Sequence, residues 1–253
     1  ESARRERMDG ILAYMFTMIR EAHRCGRPLT RHQLTEAGRD IRLFPGVEGW
    51  FGRINAFGAS LGVTVEHYII SSGLKEILEG CSIGAEFKEI FASEFYYGED
   101  GEAAWPKLAV NYTSKTQFVY RINKGVLDVS DDKTLNDSMP DDSKRIPFTN
   151  MIYLGDGLSD VPCMKMMQSY GGASIAVYKE MGQSVKDLLE RGRVDYIYPA
   201  DYREGTGLDR TVKNIIRKMA TADALSEENA RQLQMIRRSE ELSGQITLEQ
   251  MDR

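Results

Sequence analysis

The first sixty residues carry apolar side chains at helical spacing. Between residues 9 and 24 these side chains recur on one face of a helix, at Ile11, Leu12, Met15, Met18, Ile19 and Ala22. Gly26 ends this pattern. Thr30 followed by Gln33 has the form of a capping box, which predicts the start of a second short helix. A third helix is predicted across 47–60, because a Pro-Gly pair directly precedes it.

From residue 63 onward, short apolar runs alternate with helical patterns. Runs that are rich in β-branched and aromatic residues predict strands, because they are too short for buried helices. The predicted strands are 63–70, 150–154, 173–178 and 194–198, with a hairpin at 90–97 and 104–111 and helices at 74–80, at 114–124 and between the last two strands. This alternation indicates the α/β fold class, with a mostly parallel sheet covered on both faces. The chain is helical in pattern from about residue 208.

The composition is that of an ordinary globular protein, with 42% hydrophobic and 28% charged residues. The net charge of -5 argues against a nucleic-acid partner, which usually requires a basic excess. No apolar run reaches the roughly 20 residues that cross a bilayer, and no leader pattern is recognisable, so we expect no membrane association. Three widely spaced cysteines favour reduced thiols over a disulfide framework or a zinc site, which predicts a cytoplasmic location.

Polar residues follow three of the predicted elements, at the positions where an open parallel sheet binds its ligands. Asp156 and Asp160 follow one strand, Ser71 and Ser72 follow another, and Lys115 lies at a helix start. Carboxylates are the oxygen ligands that Mg²⁺ prefers, and a lysine ammonium neutralises a phosphoryl group. Taken singly, Gly-Asp-Gly is more often a turn, Ser-Ser-Gly a loop or helix cap, and a lysine a solvated surface residue. Their common order along the chain favours a phosphoryl-transfer site.

This order of motifs resembles that of the haloacid dehalogenase (HAD) superfamily. The segment 68–73 (YIISSG) is similar to the second motif, an apolar strand ending in Ser or Thr, and 152–160 (IYLGDGLSD) is similar to the fourth, Gly-Asp-Gly-x-x-Asp. Lys115 lies between them, as the lysine of the third motif does. The segment 43–47 (LFPGV) and the hairpin after the second motif resemble the phosphoserine phosphatase branch. The resemblance covers roughly residues 43–200.

The resemblance implies a Rossmann-like, doubly wound core with a small helical cap. It implies a Mg²⁺-dependent phosphatase that hydrolyses a small phosphorylated metabolite through an aspartyl-phosphate. Asp156 would bind Mg²⁺, and Asp160 would support the metal and its waters. Ser71 and Lys115 would be catalytic, Ser71 by holding the phosphoryl group and Lys115 by steadying the phosphate and the nucleophile. The phosphate-binding residues that it implies are Ser71, Ser72, Gly73 and Lys115.

The first motif of the family, Asp-x-Asp after a first strand, supplies the nucleophile and the general acid, and it is absent from this sequence. The nearest imitation, 128–132 (DVSDD), has the composition of a turn. Two alternatives stay open: a nucleophilic Asp upstream of residue 1, or a noncatalytic HAD-like protein that binds phosphate or acts as a scaffold. The first alternative predicts a helical cap segment at 1–42, an α/β core with a β-hairpin insertion at 43–220, and a peripheral helical tail at 221–253.

Overall fold

The computed structural model describes the backbone of residues 7–251, and the side chains of these residues except Asp142 and residues 239–251. The protein is a mixed α/β structure. Its helices are α1 (Gly10–Arg24), α2 (Arg31–Gly38), α3 (Val47–Ser60), α4 (Lys75–Gly80), α5 (Lys115–Lys124), α6 (Asp132–Asn136), α7 (Val161–Ser169), α8 (Gln183–Glu190) and α9 (Gly207–Met251). Its strands are β1 (Tyr68–Leu74), β2 (Glu89–Tyr97), β3 (Ala103–Leu108), β4 (Ile152–Gly155), β5 (Ala173–Tyr178) and β6 (Tyr196–Pro199).

The strands form two three-stranded sheets, where the sequence predicted one sheet. In the first sheet, β1 is parallel to β2 and β2 is antiparallel to β3. In the second sheet, β4, β5 and β6 are all parallel. The strands are therefore mostly parallel, as predicted, and the antiparallel pair is the predicted hairpin. Within the described residues, β1 and β4 each have a strand partner on one side alone.

The same two layers of helices cover both sheets. On one face, α3 and α9 form a core that includes Ile175 of β5 and Ile152 of β4, and Phe87 just before β2 also packs there. On the other face, α5 and α7 form a core that includes Phe91 of β2 and Tyr153 of β4. Because each layer spans both sheets, the two sheets lie side by side rather than face to face.

The amino-terminal helices pack against the hairpin end of the first sheet. Asp9 caps α1 by accepting hydrogen bonds from the amides of Ile11 and Leu12, and the predicted capping box of Thr30 and Gln33 is present at α2. Apolar residues join these helices to β1, β2 and β3, namely Met15, Leu34, Leu74, Phe95 and Ala103. The division into cap, core and tail stays a prediction.

The first predicted strand is displaced along the chain. β1 runs over Tyr68–Leu74 rather than 63–70, and it therefore contains Ser71, Ser72 and Gly73 instead of ending before them. The reason is the partner strand: β2 begins at Glu89, which pairs with Tyr68, so the residues at 63–67 have no strand beside them. Among the described residues, no helix is both long and apolar enough to cross a membrane.

Candidate functional site

A tight loop at the carboxyl end of β4 forms the candidate site. After Gly155, a 3-10 turn over Leu158–Asp160 brings the side chain of Asp160 back against the backbone of Gly155. A Cβ on Gly155 would lie 2.6 Å from the Cβ of Asp160, so only glycine allows this approach. The Gly-Asp-Gly pattern therefore reflects a close contact inside the loop.

Asp160 is a buried carboxylate whose two oxygens are held by the protein. Its Oδ1 accepts hydrogen bonds from Lys115 Nζ at 2.7 Å and from Tyr153 Oη at 2.8 Å. Its Oδ2 accepts from the amides of Asp156 at 3.2 Å and Gly157 at 3.3 Å. Lys115 and Asp160 are 6% and 4% exposed, so this ion pair is shielded from water. Its structural effect is to fix the backbone that carries Asp156.

Asp156 has the opposite environment, although it lies only four residues away. It is exposed, and its carboxylate has no hydrogen-bond or ion-pair partner among the described side chains. The charge of Asp156 affects the neighbouring Tyr202. Burial, as the larger cause, and the negative charge of Asp156 together raise the pKa of Tyr202 to about 12. The loop thus presents one unpartnered carboxylate to the space beyond β4.

Three of the four predicted phosphate-binding residues, Ser71, Ser72 and Gly73, lie near the end of β1, and the fourth, Lys115, begins α5. Ser71 Oγ accepts a hydrogen bond from the amide of Gly73 at 3.0 Å, and the carbonyl of Ser72 accepts one from Ser93 Oγ at 3.3 Å. The pairing with β2 is irregular between Ser71 and Leu74, so the backbone leaves the regular ladder at this point. In the described part of the chain, no hydrogen bond joins these residues to Lys115 or Asp160.

Strands β1 and β4 nevertheless lie near each other, although they belong to different sheets. Arg145, which precedes β4, donates to Tyr68 Oη at 3.0 Å and forms an ion pair with Glu66 at 2.5 Å, both at the amino end of β1. Residues 68–70 of β1 and 152–154 of β4 line one cavity, so the two strands are neighbours in the fold. The ion pair with Asp160 brings Lys115 to the loop that follows β4.

The residues present supply one open carboxylate for Mg²⁺. Mg²⁺ usually takes one or two carboxylates, with waters and a substrate phosphate completing its octahedron. Asp156 fits this role because it is exposed and unpartnered. Asp160 would have to give up a protein donor to bind metal directly, so its geometry suits orientation of the loop. No cluster of three or more His, Cys, Asp or Glu side chains among the described residues is arranged to hold a metal.

Sequence reasoning missed Tyr153 and Asn111. Burial raises the pKa of Tyr153, and the nearby Cys163 and Asp160 raise it further, so its hydroxyl stays protonated and donates to Asp160. Asn111 lies in the loop before Lys115 and donates to Asp9 Oδ2 at 3.0 Å, which ties the start of α1 to the site edge. Neither a tyrosine inside an apolar strand nor an asparagine in a loop gives a sequence signal for its distant partner.

The chain matches no protein-family model. It is 28% identical over 217 residues to an uncharacterized protein of Borreliella burgdorferi, and the alignment covers 78% of this chain and 74% of that protein. This likeness assigns no activity, so the function has to be argued from the site itself.

Proposed function

We propose that this protein is a Mg²⁺-dependent phosphatase of the HAD type with a Rossmann-like, doubly wound core. The observation that carries the proposal is the buried Lys115–Asp160 ion pair behind the exposed carboxylate of Asp156. This arrangement supports a loop that is fixed in place before a ligand arrives, with its one free carboxylate facing outward. Preorganised charge of this kind is what phosphoryl transfer needs from a protein.

Each residue has a defined role in the proposed reaction. Asp156 would hold the Mg²⁺, whose charge would neutralise the phosphoryl oxygens. Ser71 Oγ and the backbone amides at 72–73 hold those oxygens, and Lys115 adds a positive charge. A carboxylate oxygen of an Asp expected upstream of residue 1 bonds to phosphorus while the bond to the leaving oxygen breaks, and that oxygen takes a proton from a general acid. Water then attacks phosphorus and releases inorganic phosphate, which restores the carboxylate.

The proposed substrate is a small phosphomonoester of the cytoplasm rather than a nucleic acid or a membrane lipid. The net charge of -5 supports this choice, since a polyanionic partner would be repelled. The second candidate function is a noncatalytic phosphate-binding or scaffolding protein. The observation that favours it is that, within the described residues, no group of three or more His, Cys, Asp or Glu side chains is arranged to hold a metal.

Phosphate release separates the two candidates. The full polypeptide, including any residues before Glu1, is assayed with p-nitrophenyl phosphate in Mg²⁺ and in EDTA. We expect turnover in Mg²⁺ that EDTA abolishes, and Ser71→Ala should raise KM about tenfold because a hydroxyl contact to phosphate is lost. The matched control is Ser226→Ala on the exposed part of α9, which should change neither constant. Binding of inorganic phosphate without any turnover would favour the noncatalytic protein.

A further inference from the structure

Helix α9 extends beyond the core of the protein. It spans Gly207–Met251, and its first turns pack into the core, where Leu208 is buried. Asn150 donates to Asp223 at 2.7 Å, at the point where the helix leaves the core. The side chains at 224–238 are exposed or half-buried. This stretch corresponds to about 22 Å of helix at ~1.5 Å per residue.

Apolar side chains remain exposed along one face of this extension. Leu225 is 67% exposed, Leu233 47% and Ile236 55%. On a helix of 3.6 residues per turn, these three side chains share a face with Ala222 and Asn229, which are also exposed. A row of exposed apolar side chains is typical of an interaction surface. We call residues 222, 225, 229, 233 and 236 the apolar stripe, and its burial would stabilise a helix that otherwise has little packing.

The apolar stripe is symmetric about Asn229. Its other members lie seven and four residues before Asn229, and four and seven residues after it. Two copies of α9 that lie antiparallel, with a two-fold axis at Asn229, therefore place Leu225 of each copy against Leu233 of the other. Ala222 of each copy faces Ile236 of the other in the same way. A surface that complements itself is what a two-fold contact between identical chains requires.

The charges beside the apolar stripe favour the antiparallel arrangement. Glu228 and Arg231 form an ion pair within the helix and lie along the same side of the stripe. In the antiparallel pair, Glu228 of one copy lies about 1.5 Å along the helix axis from the level of Arg231 in the other copy, on the same side. Opposite charges therefore meet twice across the contact. A parallel pair would also match the stripe with itself, but it would place these charges opposite the uncharged Ser226 and Ala230.

We infer that α9 is a dimerisation helix, which pairs antiparallel with α9 of a second copy of this chain along the apolar stripe. Asn229 lies on the two-fold axis, where its side-chain amide both donates to and accepts from the same amide of the second copy. A single polar residue in an apolar contact between helices lowers its stability but fixes its register. The pairing does not depend on the proposed phosphatase function, because it uses residues outside the candidate site.

Sedimentation equilibrium of the full polypeptide tests the pairing. Because the stripe is short for an interface, we expect a dimer at about 100 µM protein that dissociates on dilution to about 1 µM. Leu233→Glu should raise the dimer Kd at least about tenfold, since it places a charge in the apolar contact. The matched control is Met235→Glu, which changes an exposed side chain about 200° around the helix from Leu233 and should leave Kd unchanged. A monomer at about 100 µM, or equal effects of the two variants, would overturn the inference.

Disulfide crosslinking tests the direction and register of the two helices. The background is Cys25→Ser, because Cys25 is an exposed thiol. Asn229→Cys should crosslink to its own copy under mild oxidation, since the two positions meet on the axis. Leu225→Cys and Leu233→Cys should crosslink when the two proteins are mixed, and at least about tenfold more slowly when each is alone. Crosslinking of Leu225→Cys alone as fast as that of Asn229→Cys would indicate a parallel pair and overturn the inference.

Two further measurements separate the second copy from other occupants of the stripe. Asn229→Leu should tighten the dimer at least about tenfold, because it removes the polar group from the contact, and a weaker dimer would contradict the position of Asn229 on the axis. The unmodified protein is also sedimented with phosphatidylserine vesicles. A protein that stays monomeric and binds these vesicles, and that loses this binding in Leu233→Glu, would assign the stripe to a lipid surface and overturn the inference.

Discussion

Two buried carboxylates in this protein have nearly the same surroundings but different consequences. Asp160 is held by Lys115, Tyr153 and two backbone amides. Asp209 is held by Arg53 and Lys213, each at 3.0 Å, and by the amide of Gly205 at 3.0 Å. Burial and complete hydrogen bonding are therefore common to the acid of the proposed site and to an acid elsewhere in the core.

The difference lies in what each carboxylate holds in place. Asp209 joins α3 to the start of α9, and Arg53 also donates to the carbonyl of Tyr202, so this network fastens one side of the core. Asp160 fastens the loop that presents Asp156, an exposed carboxylate without a partner. In the proposed function, Asp156 binds the ligand, and the buried pair of Lys115 and Asp160 positions the loop that carries it.

The largest expected effect is that of Asp156→Asn. Removal of the open carboxylate should reduce Mg²⁺-dependent phosphate release at least about 1000-fold, or ~4 kcal/mol in transition-state stabilisation, because metal ligation is lost. The melting temperature should stay within about one degree, since Asp156 has no partner to lose. The matched control is Glu204→Gln, an exposed carboxylate on the loop before α9, which should keep full activity. Unchanged turnover in Asp156→Asn would remove Asp156 from the site.

The next prediction compares Asp160→Asn with Asp209→Asn directly. Each removes one partner of a buried network, and we expect losses of about 3 kcal/mol for Asp160→Asn and somewhat less for Asp209→Asn, measured by urea unfolding. Lys115 is more deeply buried than Arg53 and Lys213, which explains the difference. Activity per folded molecule should fall 10–100-fold in Asp160→Asn alone. Equal activity losses in both variants would contradict the prediction that Asp160 alone positions the site.

A smaller effect is expected from Tyr153→Phe. The variant loses the hydroxyl that donates to Asp160 while keeping the aromatic ring, which should cost about 1.5 kcal/mol of unfolding free energy. Activity should fall a few-fold as the loop loosens. The control is Tyr198→Phe, whose hydroxyl bonds Thr211 Oγ1 at 2.6 Å away from the site, and which should lose stability without losing activity.

The smallest effect concerns pH. Burial alone would raise the pKa of Asp209, but hydrogen bonds from Gly205, Lys213 and Arg53 together hold it below its usual value of 3.8. Because the folded-state pKa is the lower one, the stabilisation is complete above pH 3.8 and is lost as pH falls through the folded value. Between pH 7 and pH 3, Asp209→Asn should lose less stability than the wild type in urea titrations. A parallel pH dependence in the two proteins would contradict this assignment.

The sequence alone predicted most of the local structure. Helix α1 was predicted from apolar spacing, α2 from the Thr30–Gln33 capping box and α3 from the Pro-Gly pair before it, and strand β5 was predicted with its observed bounds. These features depend on interactions between residues three or four apart, or on the composition of short runs, so they can be derived without a partner. The Gly-Asp-Gly loop was predicted as a candidate site from the order of three motifs along the chain, because taken singly it is more often a turn.

Tertiary structure decided the features that depend on distant residues. The bounds of β1 follow from where β2 begins, 21 residues after Tyr68 in the register of the pair, so the sequence pattern at 63–67 was misleading. The buried, hydrogen-bonded environment of Asp160 depends on Lys115 and Tyr153, which lie on other elements. The division of the strands into two sheets, with β1 and β4 at the edges, also depends on contacts between distant residues. A single sequence records which residues are apolar or charged, while contacts across the fold determine which of them have partners.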